Sequence, residues 1–102
     1  MTDLRNLARD EECLVRYPGV CNHSSDTVVL AHYRLAGTCG TGMKPPDTNG
    51  AYACSACHAF VDSREDLTDD EIEYMRRRLA HAEGVMRTLY QLHQRGYRMR
   101  KG

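Results

Sequence analysis

Tryptophan is missing from this 102-residue chain, phenylalanine occurs once and proline three times. At 41% hydrophobic residues with so few large rings, one domain can build a core, but a thin one that a metal staple would strengthen. No apolar run approaches the roughly 18 residues that a membrane span needs. The first residues, Met1-Thr2-Asp3-Leu4-Arg5, lack the apolar centre of a signal peptide. A cytoplasmic protein with no membrane partner is expected. Net charge is absent too, since 14 Lys and Arg balance 14 Asp and Glu, so no global basic excess points to nucleic acid. The charge is nevertheless uneven. Asp62 to Glu73 is acidic, and the chain from Arg76 onward is basic, leaving room for a local basic face.

Cysteine is not scarce. Five thiols in a reducing compartment argue for metal binding over disulfides, and the odd number suits four ligands with one to spare. Cys54-Ser55-Ala56-Cys57 can grip one zinc ion from a tight turn, and Cys13 and Cys21 complete a four-thiolate set. The second pair is spaced more widely than is usual; buried metal-free thiols are the plain alternative. Cys39, in a glycine-rich stretch, reads as the spare, with replacement of one of the four as the alternative.

The residue after Cys57 opens what reads as a helix, His58 to Asp62. Positions four apart share a helix face, with Cβ atoms about 5–6 Å apart. His58 and Asp62 therefore suit a second, open site for Mg²⁺ or another divalent cation. Taken singly, each is an ordinary polar helix residue.

Elsewhere the pattern is that of an α+β chain. Thr2 or Asp3 can cap a short helix through Leu4, Leu7 and Ala8. Leu14 to Tyr17 reads as a strand, and Pro18-Gly19 as a turn folding Cys21 back towards Cys13. Thr27 to Tyr33 is β-branched and apolar, and delivers His32 near a strand end. Residues 36–50 form a long loop of the functional kind, and Gly50 to Ala53 a second short strand. After a break at Asp66-Leu67, Thr68-Asp69-Asp70-Glu71 fits a capping box. Ile72, Met75, Leu79, Ala82, Met86 and Leu89 follow at helical spacing, so a helix is expected from about Asp69 to about Arg95, stopped by Gly96. A core this small need not cover that stripe, and a homodimer through the C-terminal helix is expected. Residues 1–66 read as the zinc-bearing core and 67–102 as the long helix and basic tail of the same domain.

His32 fits a satisfied core histidine, a general base or a metal ligand; the residues alone leave the three open. Asp47 and Asn49 can orient such a base, or belong to an ordinary Asp-Thr-Asn-Gly turn. Arg34 and Lys44 can meet phosphates. Arg76-Arg77-Arg78 covers nearly a full helical turn and reads as a solvated face. His81 and His93 read as surface or interface residues, and His23 as a solvated loop residue.

In order, these motifs are Cys13-Leu14-Val15-Arg16-Tyr17-Pro18-Gly19-Val20-Cys21, Leu30-Ala31-His32, Gly40-Thr41-Gly42, Lys44-Pro45-Pro46-Asp47, and Cys54-Ser55-Ala56-Cys57-His58. The chain resembles the HNH, or His-Me finger, nucleases with a treble-clef zinc knuckle. It is most similar to the small prophage-encoded YbcO-like family. The resemblance covers residues 3–65 and implies a ββα-metal core. It places His32 at the general base, His58 and Asp62 at the catalytic cation, and Asn49 at the motif asparagine. Ala31 stands where many relatives carry a metal-binding Asp or His. The implied activity is metal-dependent hydrolysis of phosphodiester bonds in DNA. The alternative is a non-catalytic zinc module that binds nucleic acid or a protein partner.

Overall fold

The computed structural model describes residues 4–35, 37–39, 45–61 and 71–96. Helix α1 (Leu4–Leu7) leads to strand β1 (Val29–His32), strand β2 (Gly50–Ala53), helix α2 (Ser55–Val61) and the long helix α3 (Glu71–Gln94). Single 3₁₀ turns at Ser25–Thr27 and Asp47–Asn49 precede the two strands. This is the expected α+β architecture: a two-stranded sheet, a cysteine knuckle and a long C-terminal helix. Residues 1–3, 62–70 and 97–102 lie outside the described residues, and with them the first-helix cap, the capping box and the basic tail.

The strands pair antiparallel, Val29 opposite Ala53 and His32 opposite Gly50. Side chains alternate across a strand. Leu30, His32, Gly50 and Tyr52 therefore share one face, and Val29, Ala31, Ala51 and Ala53 the other. Helix α3 packs on the alanine face. Its Gly84 comes so close that an added Cβ would lie 3.2 Å from Ala51 Cβ and 2.8 Å from Val15 Cγ2.

The expected strand over Leu14–Tyr17 is not formed. The N–H groups of Leu14 and Val15 both donate to the Tyr52 carbonyl, at 2.7 and 3.3 Å, and Arg16 then turns left-handed at φ 50°. A strand would carry Cys13 away from the other thiols; this turn keeps it near them. The Pro18-Gly19 turn forms as expected. Val20 N–H donates to Tyr17 O at 3.1 Å, and Gly19 sits at φ 80°, where a type II turn favours glycine. Strand β1 is shorter than the expected Thr27–Tyr33. Thr27 belongs to the preceding 3₁₀ turn, and its hydroxyl donates to Ser24 O.

The α3 face that packs inward is not the apolar one. Arg77, His81, Gly84, Thr88 and Leu92 are its buried residues, whereas Ile72, Met75, Leu79 and Met86 are exposed. Polar partners explain the inversion. Thr88 Oγ1 accepts from the Tyr52 N–H at 2.9 Å and donates to Gly84 O at 2.8 Å. His81 Nε2 donates to Ala31 O at 2.9 Å. Arg77 lies 4.4 Å over the Phe60 ring, which itself packs on Tyr17. Arg77 and His81 are thus buried, contrary to the expectation of a solvated face and a surface histidine. His93 is exposed.

Candidate functional site

The helix that carries the knuckle begins at Ser55, three residues before the expected start at His58. Cys54 is the reason. Its sulfur accepts the Cys57 N–H at 3.4 Å and its carbonyl accepts the His58 N–H at 2.8 Å, so the thiol takes the place of an oxygen N-cap. Thr27 Oγ1 accepts the Ser55 N–H at 3.1 Å, and Asn22 Nδ2 donates to Ser55 Oγ at 3.0 Å. The start of α2 is thereby tied to the loop that holds Cys21.

The sulfurs of Cys13, Cys21, Cys54 and Cys57 all lie within 4.8 Å of one another. A tetrahedral ion bound at about 2.3 Å to each sulfur sets them about 3.8 Å apart. Cys54 and Cys21 are separated by 3.8 Å. Donor chemistry and spacing both fit one four-thiolate metal ion. The Arg16 N–H points at the Cys13 sulfur at 3.5 Å, as the Cys57 N–H does at Cys54. Such donors favour thiolate over thiol. Burial pushes the Cys54 thiol up, but the backbone N–H groups of Cys57 and Asn22 and the neighbouring thiols outweigh it. They bring Cys54 down to about 7 from an ordinary 9.0. Burial, with the Cys13 sulfur beside it, pushes Cys57 far up; burial likewise raises Cys21. His23 reaches the cluster's edge, its Nδ1 3.7 Å from the Cys21 sulfur. Cys39 stays apart, 3.8 Å from Leu35 O.

A second constellation sits at the end of β1. His32 Nε2 and Asp47 Oδ1 are 2.7 Å apart, both partly buried. The 3₁₀ turn Asp47–Asn49 sets this contact. It follows Pro46, whose carbonyl accepts the Asn49 N–H at 2.9 Å, and it delivers Gly50 opposite His32. The Tyr33 N–H donates to Asn49 O at 2.9 Å, fixing the turn against the strand end, while Asn49 Nδ2 donates to Thr38 Oγ1 at 3.1 Å. Arg34 is exposed and its carbonyl accepts from Arg78 Nη2 at 3.3 Å.

His58 is half-buried on α2. Among the described residues the four thiols form the one cluster of three or more metal-ligating side chains; His32, Asp47 and His58 are not gathered into a second. Asp62 and Lys44 lie outside the described residues.

Two residues of this site gave little sign in the sequence. Arg5 places Nε 4.0 Å from Asp47 Oδ2, putting a cation beside the carboxylate that holds His32. A lone arginine on a four-residue helix carries no motif. His81 grips the carbonyl of Ala31, the residue before His32, and meets the Tyr33 ring edge-on at 5.1 Å. Its spacing with Arg77, Thr88 and Leu92 along one helix face was the available signal.

The family model described as YbcO, Putative nuclease YbcO, matches residues 2–97. The chain belongs to the YbcO family. Two YbcO proteins named "Putative nuclease YbcO", one from Escherichia coli strain K12 and one from Enterobacteria phage 82, are each 58% identical over 69 residues. That is 68% of this chain and 72% of each relative. A solved structure, titled "Structure of a putative bacteriophage protein from Escherichia coli str. K-12 substr. MG1655", superposes with a TM-score of 0.71. It is 39% identical and covers 90% of this chain and 98% of its own. The names attach this family to phage and to nucleases. No helix among the described residues is long and apolar enough to cross a membrane.

Proposed function

We propose that this YbcO-family chain is a phage-derived, metal-dependent endonuclease of the HNH type that hydrolyses phosphodiester bonds in DNA in the cytoplasm. The observation that carries the reading is the 2.7 Å contact between His32 Nε2 and Asp47 Oδ1 at a strand end. An imidazole that donates Nε2–H to a carboxylate keeps its lone pair on Nδ1 and is held in one orientation. In this reading His32 Nδ1 takes the proton of the attacking water, and Asp47 stabilises the imidazolium that results.

Cys13, Cys21, Cys54 and Cys57 hold a structural zinc that locks the start of α2. His58 and Asp62 hold the catalytic cation, Mg²⁺ or another divalent ion. When bound, that cation would neutralise charge on the scissile phosphate and on the leaving oxygen. Asn49 keeps the Asp47 turn against β1. Arg34 and Lys44 grip neighbouring phosphates, which makes cleavage sensitive to salt.

The test is incubation of purified protein with supercoiled, linear and single-stranded DNA across several divalent metals. His32→Ala abolishes cleavage while bound zinc and fold remain; full cleavage by that variant rejects the role. One observation favours a second reading, a zinc module that binds nucleic acid or a protein without cutting. Ala31, just before His32, is fully buried and brings no carboxylate or imidazole to the site. That reading predicts DNA retention without cleavage in every metal tried.

A further inference from the structure

Eight large apolar side chains are exposed among the described residues, and six of them lie on α3. Ile72 is 63% exposed, Met75 65%, Leu79 57% and Met86 60%. Their spacing is three, four and seven. Ala82 and Leu89, both half-buried, fill the missing steps, so 72-75-79-82-86-89 alternates by three and four without a break. At 1.5 Å per residue this stripe runs about 25 Å. A stripe of two positions in seven is narrower than the band a helix turns towards a globular core. It is the seam of a two-stranded coiled coil. The opposite face of α3 already meets the sheet through His81, Gly84 and Thr88, and α2 through Arg77 over Phe60. The side chains of Met75, Leu79 and Met86 on the outer stripe stay exposed.

The residues bordering the seam indicate what covers it. Heptad positions place Glu71 and Arg78 along one edge, Arg76 and Glu83 along the other. Two copies side by side in parallel bring Arg76 against the partner's Glu71, while Arg78 stays held by the Arg34 carbonyl and the Tyr33 ring. Two copies in antiparallel arrangement, centred on the seam, bring Arg76 against the partner's Glu83. Opposite charges meet in either case, and like charges in neither. A surface complementary to itself is what a twofold dimer requires. Phosphates would meet carboxylates at Glu71, Glu73 and Glu83, so this face does not suit nucleic acid. A lipid surface favours a predominantly basic border, which these carboxylates interrupt.

We propose that the outer stripe of α3 is the interface of a homodimer in which the α3 helices of two copies pair along Ile72, Met75, Leu79 and Met86. The inference is independent of the nuclease reading. Helix α3 packs on the alanine face of the sheet, and His32 belongs to the other face, so pairing leaves the His32–Asp47 pair uncovered.

Sedimentation equilibrium of the full metal-loaded chain, over a series reaching high micromolar concentration, tests this. The expected mass is twice the 11.6 kDa of one chain. Leu79→Glu with Met86→Glu changes two exposed side chains, so circular dichroism and metal content stay those of the native chain while the dimer Kd rises at least about a hundredfold. Arg76→Glu alone weakens assembly. Adding Glu83→Arg restores it if the helices are antiparallel, and adding Glu71→Arg restores it if they are parallel. A single-chain mass across the whole series overturns the proposal, as does a dimer that the Leu79/Met86 variant leaves unchanged.

Discussion

The small sheet is held from two sides by unlike chemistry. At one end, four sulfurs within 4.8 Å of one another gather Cys13, Cys21 and the start of α2. Along the alanine face, α3 is seated by a glycine, a threonine and a histidine, with little large apolar surface, while its Arg77 rests on Phe60 of α2. The first contact depends on a few atoms that must all be present. The second depends on closeness, because only small residues let the Tyr52 N–H and the Ala31 carbonyl reach α3 side chains. A thin core is thus closed once by a thiol cluster that could hold a metal ion and once by hydrogen bonds made in a tight seam.

The largest effect is expected at the sulfurs. Structural zinc in finger peptides contributes about 10–16 kcal/mol of apparent binding free energy, which is folding free energy. Chelation, or Cys57→Ser, is expected to unfold the knuckle, with amide exchange in α2 rising to unprotected rates. Unchanged protection in chelator would show that the thiols are not a metal centre. The same site should be pH-sensitive. Metal competes with protons, and Cys57 and Cys21, both pushed up, still carry theirs at neutral pH, while Cys54 at about 7 has partly lost its own. Affinity therefore climbs as pH rises and falls as it drops, by about tenfold per unit for each proton displaced. Competition with a chromophoric chelator between pH 6 and 8 measures the slope; a flat profile contradicts it.

The seam should respond less, but sharply for its size. At Gly84 an added Cβ would lie 3.2 Å from both Val15 Cα and Ala51 Cβ, neither of which is the end of a flexible chain. Gly84→Val is expected to cost about 3 kcal/mol, near the upper end of ordinary overpacking, despite the helix-propensity gain. Urea unfolding of the metal-loaded protein reads the change, and a native midpoint would mean that α3 sits farther from the sheet. Thr88→Val keeps the shape but leaves the buried Tyr52 N–H without its acceptor, at about 2 kcal/mol by the same measurement. Thr88→Ser retains the bond and should recover most of that loss.

The same contrast explains what could be read from the chain alone. The knuckle is local, and a two-residue gap between Cys54 and Cys57 announces itself. Strand β2 likewise matches its expected bounds, being flanked by a turn and the first knuckle thiol. The pairing of Cys13 with Cys21 was legible through Pro18-Gly19, although the intervening strand was not formed. What stayed hidden was which side of α3 faces inward. Periodicity marks the stripe through Ile72 and Leu79, which a core this thin need not cover, but hydrophobicity did not mark Arg77 and His81 for burial. The helix instead buries residues chosen for size and hydrogen bonding, a preference expressed only once the backbone of β2 is beside them. The contact between Asp47 and His32 was legible only as one of two options, orienting a base or making an ordinary turn. It spans fifteen positions and depends on a 3₁₀ turn that has no periodic signature.

Gly50 carries one further consequence. A methyl group built on it would overlap the Leu30 side chain. A side chain here therefore forces Leu30 into another rotamer, although Gly50 has ordinary extended backbone angles. In a randomised library at this codon, glycine should be the most frequent survivor of selection for folded protein, followed by alanine. Because Asp47 and Asn49 hang from the same short turn, any shift of Gly50 away from Leu30 reaches both of them. The close fit of Gly50 under Leu30 thus acts as the dowel that aligns the loop with the strand.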